Sequence, residues 1–183
     1  MNLRAAAAPV RPDHDAVGVA SLVERAQRGD RSALTEIYAL YRRTVRGILL
    51  SRVPRIEVDD LVQDVFVTAM ERLSTLRDPA AFPAWLATIA RNRATDCLRG
   101  SGRTTPLPDD WPVADVDRTE ALLVLSAIQS LPEAYSETLT LRLVEGMTGP
   151  EIAARTGLTE GSVRVNLHRG MKQLREKLER TLA

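Results

Sequence analysis

Apolar residues along this chain recur at three- and four-residue steps from about residue 20 to residue 178, and strand-like alternation persists nowhere. Leu34, Ile37, Tyr38, Tyr41, Val45, Ile48 and Leu49 keep that step and predict a long helix from Arg31 to about Val53, capped by Asp30 and closed by Pro54. A short helix precedes it over residues 21–28, broken at Gly29-Asp30. A third helix is predicted over about 58–73, with Leu61, Val62, Val65, Phe66, Ala69 and Leu73 inward. Residues 74–81 read as a polar loop. A fourth helix follows over about 82–98, where Leu86, Ile89, Ala90, Ala94 and Cys97 form the apolar stripe.

The pattern then stops. Residues 100–119 hold two glycines, three prolines and four aspartates without periodicity, the signature of a linker. Beyond it, residues 120–131 are helical, Pro132 suits the start of another helix, and Tyr135, Leu139 and Leu143 carry that one to Glu145-Gly146. Thr148 with Glu151 three residues on is a capping box. Gly157 is placed to end the helix in the left-handed conformation, and Thr159 opens a last helix with Val163, Leu167, Leu174 and Leu178 inward. Two capped helices joined by a glycine turn make a helix-turn-helix. The fold class predicted is all-α, two small helical bundles joined by a flexible acidic linker: a disordered tail over 1–17, a first domain over 18–99, the linker over 100–119, and a helix-turn-helix domain over 120–183.

Composition changes this picture little. Of 183 residues, 44% are hydrophobic and only 4% aromatic, so aliphatic side chains build the core. Phe82 and Trp111 are the rings least accounted for by a helical stripe. The net charge of +1 conceals a division: residues 161–180 carry six basic side chains against two acids, whereas residues 101–120 carry five acids against two arginines. A basic final helix beside an acidic connector points to DNA contact at one place and to protein contact or charge mimicry at another.

Ser162, Arg164, Asn166, His168, Arg169 and Lys172 lie on the outer faces of the last helix and suit phosphates and base edges. The third helix instead shows Asp60, Gln63, Asp64, Val67 and Glu71, a mixture better suited to a protein partner than to DNA, with a merely solvated acidic face as the equal alternative. The chemistry of an enzyme is missing. The two histidines, His14 and His168, and the one cysteine, Cys97, form no metal cluster and no nucleophile–base pair; Asp59, Asp60 and Asp64 lack matching ligands elsewhere, so neither metal nor cofactor is expected. A lone cysteine on an apolar stripe, no signal-peptide pattern and no run approaching the roughly 18 apolar residues of a membrane span favour a cytoplasmic protein.

Four stretches in this order resemble the small extracytoplasmic-function group of bacterial RNA polymerase sigma factors, over about residues 20–180. They are Arg28-Gly29-Asp30 with Leu34, Tyr38 and Tyr41; residues 59–66; residues 84–92 with Asp96 and Arg99; and residues 131–143 with Glu145-Gly146, residues 151–153 and Ser162-Val163. The resemblance implies a region 2-like domain whose acidic third helix docks on core RNA polymerase through Asp60, Gln63, Asp64 and Val67. It implies that the fourth helix and the loop before it capture and open the promoter −10 element, with Arg91, Asn92, Arg99 and Phe82 as contacts. It further implies that the region 4-like domain reads the −35 duplex with Glu160, Ser162, Arg164, Asn166, Arg169 and Lys172. The linker would thread the polymerase cleft, with Trp111 as an anchor or as a contact with the protein's own domains. An anti-sigma protein is a further partner of this group.

One stretch departs from the group's pattern. Val165 and Asn166 stand where a small polar and then a basic residue are common, and Met171 replaces a common arginine. Two outcomes are open: weaker phosphate contact with a flatter salt dependence, or an adenine edge read by Asn166. The alternative function is a stand-alone helix-turn-helix regulator that binds duplex DNA without polymerase. A third reading is a helical interaction protein that never touches DNA.

Overall fold

The structure is a computed structural model and describes residues 16–100 and 116–182, which contain eight α-helices and no strand. Most of the predicted tail and linker, including Trp111, lies outside the described residues. Helix α1 spans Ala16–Gln27, starting earlier than its apolar spacing indicates, and α2 spans Arg31–Leu50. Asp30 caps α2 by accepting from the Ser32 and Ala33 N–H groups at 2.9 and 3.3 Å. The Ser32 hydroxyl, the Arg25 guanidinium and the Ala33 N–H hold the Asp30 carboxyl well below the usual carboxylate range.

Helix α3 spans Arg55–Arg72 and α4 spans Phe82–Gly100. The loop between them is more ordered than a polar segment predicts: two 3₁₀ turns, Leu73–Thr75 and Pro79–Ala81, follow each other. Asp78 accepts from the Ala80 N–H at 3.0 Å and Pro79 presets the turn, while the Gln27 side chain donates to the Leu73 and Leu76 carbonyls at 2.9 and 2.8 Å.

Ile37, Tyr41, Ile48, Val65, Phe66, Leu86 and their neighbours on α1–α4 form one continuous core. Ala87, Ala90 and Ala94 on the inner face of α4 let that helix lie close to α2 and α3. Cys97 is half-buried and packs on the same core.

The second bundle consists of α5 (Val116–Gln129), α6 (Glu133–Leu143), α7 (Gly149–Thr156) and α8 (Glu160–Leu182). Its core is divided: Leu141, Met147, Ile152, Ala153 and Val163 lie at one end, and Ile128, Leu139 and Leu174 at the other. The capping box is complete. Thr148 Oγ1 accepts from the Glu151 N–H, and the Glu151 carboxylate accepts from the Thr148 N–H at 2.7 Å. Gly157 ends α7 at φ 76°, the left-handed geometry that its lack of a Cβ permits. Gly170 lets α8 approach α6, where a Cβ would lie 3.0 Å from Leu139 Cδ1.

The two bundles are packed directly on each other. The chief contacts are α2 with α6 and α4 with α7. A Cβ on Gly47 would stand 2.5 Å from Leu141 Cδ2, and one on Gly157 would stand 2.5 Å from Ala84 Cβ, so glycine sets both crossings. The open C-terminal carbonyls of α2 are satisfied from the second bundle. Gln129 donates to the Leu50 and Val53 carbonyls at 2.7 and 3.3 Å, and Ser136 Oγ donates to the Ser51 carbonyl at 3.0 Å.

Candidate polymerase and promoter interfaces

The outer face of α3 carries Asp60, Gln63, Asp64 and Val67. Asp60 and Gln63 are exposed, and Val67 leaves 57% of its surface to solvent. Ile56, which the sequence reading passed over, is 83% exposed and completes the stripe. Its spacing was the available signal, since residues 56, 60, 63 and 67 fall on one helical face. Two apolar side chains thus flank a polar centre. Asp64 is engaged rather than free: its carboxylate pairs with Arg93 of α4 across the first bundle, and that carboxylate raises the guanidinium's proton affinity.

On α4 the expected −10 residues separate into three environments. Asn92 and Arg99, seven residues apart, share an exposed face. Arg91 is turned toward the second bundle, where its Nε and Nη2 donate to both carboxylate oxygens of Glu137 at 3.0 and 2.7 Å. Phe82 requires a correction. It is 0% exposed, with ring centroids 5.2 Å from Tyr41 and 5.9 Å from Trp85, so it anchors the start of α4 in the core and offers no surface to a base. Its burial was hidden in sequence because Tyr41, its edge-on partner, belongs to a different helix. The surface of the preceding loop is supplied instead by Ser74, Thr75, Arg77, Asp78 and Ala80, all exposed.

On α8, Val163, Gly170 and Leu174 are buried, while Arg164, Val165, His168, Arg169, Met171 and Lys172 form an exposed arc. Thr159 Oγ1 accepts from the Ser162 N–H at 3.1 Å and lies 2.8 Å from Ser162 Oγ, so the Ser162 hydroxyl is part of the helix start. Glu160 is exposed at that start, and Asn166 sits half-buried on the flank of the arc. Half of the arc, Arg164, Arg169 and Lys172, is cationic, with Val165 and Met171 as apolar patches within it.

Arginine–carboxylate chemistry dominates the contact between the bundles. Glu137, only 4% exposed, receives Arg91 and also Arg52 at 3.2 Å, while Arg52 reaches Glu133 at 3.0 Å. Hydrogen bonding to Glu137 raises the proton affinity of the Arg91 guanidinium. Glu145, also buried, pairs with Arg46 and lies 3.8 Å from Arg43. Arg155 of α7 donates to the Leu40 carbonyl and sits 5.1 Å above the Tyr41 ring. None of these interbundle partners was assigned a role from the sequence except Arg91. Among the described residues no group of histidine, cysteine, aspartate or glutamate is placed to hold a metal ion, and no helix is long and apolar enough to cross a membrane.

Comparison with known proteins matches both halves. The Sigma-70 region 2 family profile matches residues 37–104, and the Sigma-70, region 4 profile matches residues 121–174. The ECF RNA polymerase sigma-E factor of Haemophilus influenzae is 31% identical over 178 residues, covering 87% of this chain and 94% of that protein. Its namesake in Escherichia coli K12 is 30% identical over 177 residues, covering 86% and 93%. Among solved structures, CnrH in complex with the cytosolic domain of CnrY superposes with a TM-score of 0.62 at 28% identity, covering 90% of this chain and 98% of that one. RpoE in complex with the anti-sigma factor NepR from Bartonella quintana shares the fold, with a TM-score of 0.52 at 21% identity, covering 79% of this chain and 96% of that one.

Proposed function

From the premise that this chain belongs to the extracytoplasmic-function RNA polymerase sigma factors of the sigma-70 family, we propose that it works by binding and not by catalysis. It is an alternative sigma factor that joins core RNA polymerase in the cytoplasm, recognises the −10 and −35 promoter elements and starts transcription. The observation that carries this reading is the presence, on one chain and in the family's order, of two unlike unpartnered faces: the apolar-flanked stripe of Ile56, Asp60, Gln63 and Val67 on α3, and the cationic arc of Arg164, Arg169 and Lys172 on α8.

The α3 stripe is the face for core polymerase, with Asp64 beside it fixing α4 through Arg93. Burying Val67 and Ile56 in a partner removes apolar surface from water, and Asp60 and Gln63 add direction. Promoter melting falls to α4 and its preceding turns: Asn92 and Arg99 hold the displaced strand, Arg91 joins them once released from Glu137, and the pocket for an extruded base is built by the turns over 74–81, without Phe82. The α8 arc lies in the major groove of the −35 element, with Arg164, Arg169 and Lys172 on phosphates, Asn166 toward an adenine edge and Glu160 and Ser162 at the helix start. An anti-sigma protein is the regulatory partner; the matched fold of CnrH, solved with the cytosolic domain of CnrY bound, supports a protein docking on this architecture.

Titration of the labelled chain with core RNA polymerase, together with gel shifts of promoter duplex with and without core, tests the proposal. Saturable binding to core and a promoter complex that needs core are expected. A duplex complex of equal affinity without core, and no binding to core, would assign the chain to the stand-alone helix-turn-helix regulators.

A further inference from the structure

Among the described residues, all five ion pairs between the bundles run in the same direction. The guanidiniums of Arg43, Arg46, Arg52 and Arg91 come from the first bundle, and the carboxylates of Glu133, Glu137 and Glu145 come from the second. The first bundle thus meets an anionic surface of its own chain. At the centre of that surface Glu137 engages Arg91 fork to fork, both carboxylate oxygens against Nε and Nη2, the two-point geometry by which arginine also grips a phosphate. Glu137 is nearly inaccessible, and a second guanidinium, that of Arg52, closes on it with side-chain exposure of only 12%.

We propose that Glu137 is a built-in stand-in for a promoter phosphate, which occupies Arg91 and latches the two bundles in a closed arrangement that withholds the −10-reading helix from DNA. This rests on the reading of Arg91 as a −10 contact. The latch is reversible because it consists of charge and close small-residue crossings: an incoming nucleic acid offers Arg91 the same chemistry that Glu137 offers it. Glu145 on Arg46 is the second catch, and Gly47 against Leu141 and Gly157 against Ala84 set how closely the bundles shut. The closed form therefore binds promoter DNA weakly by itself, and parting of the bundles exposes Arg91.

The test compares the full-length chain with Glu137→Gln, which keeps the shape of the side chain and removes its charge. X-ray scattering gives the radius of gyration, circular dichroism the helix content, and fluorescence anisotropy the affinity for a −10 non-template oligonucleotide without core polymerase. The variant is expected to expand at unchanged helix content and to bind the oligonucleotide at least tenfold more tightly. A radius and an affinity both equal to wild type would overturn the latch. If the variant loses helix content, Arg52→Gln, which loosens the same carboxylate from its other side, is read by the same two criteria. Adding Arg91→Ala to the expanded variant separates the two ideas: retained tight binding removes Arg91 from the promoter contacts while the expansion still establishes the latch, whereas loss of the gain establishes both.

Discussion

Tyr41 lies fully inside the first bundle with its hydroxyl unpartnered, beneath the Arg155 guanidinium. Burial pushes its pKa up from 10.0 to about 12, against the opposing pull of Arg155. Because the folded value is raised, the contribution of the neutral phenol is fully present below pH 10 and is lost as pH rises toward 12. Tyr41→Phe is therefore expected to leave stability at pH 7 unchanged or higher and to flatten the decline between pH 10 and 12, as read by chemical denaturation at stepped pH. Val67 is the opposite case, an apolar side chain held out in solvent. Val67→Glu is expected to change the melting temperature little and to weaken core-polymerase binding at least tenfold, about 1.4 kcal/mol. Unchanged affinity in a competition titration would remove α3 from the docking surface. At this scale the sequence showed which face of α3 points outward, since that follows from helical period alone. It did not show that Asp64 is tied to Arg93 or that Phe82 is buried, because both depend on how other helices cross.

Helix ends were the most legible features of the chain. Asp30, Thr148 with Glu151, Gly157 and Thr159 act where their chemistry predicts, because a cap is satisfied within three or four residues of sequence. Thr148→Ala removes one half of the capping box and is expected to cost about 1 kcal/mol of stability, measured by urea denaturation, without altering the α8 surface. The recognition helix permits a separate check. Arg164→Ala is expected to weaken −35 duplex binding across sequences and to reduce the slope of log affinity against log salt by about 0.9, the share of one phosphate contact. An unaltered salt dependence would strike Arg164 from the contacts. The turns between α3 and α4 were less legible, because the Gln27 side chain that fastens them comes from α1 and no local pattern announces it.

The arrangement of the two bundles was the least legible level. Nothing in the composition of α6 or of the turn that follows it marks Glu137 or Glu145 as buried; both acquire partners only when α2 and α4 are laid against them. Likewise Gly47 reads as a weak point in a helix until Leu141 is seen to occupy the space that a Cβ would need. An intact linker between two predicted bundles gives no hint of their contact. What the sequence did convey was the order of the parts and the family to which they belong, and these define the central claim. Reconstituted run-off transcription from a library of promoters, with core RNA polymerase and with or without this chain, tests it most directly. Transcripts are expected from a subset of promoters sharing −10 and −35 elements, only when core and this chain are both present. Core that gains no promoter-specific transcription from the active chain, with no inhibitor in the mixture, would contradict it.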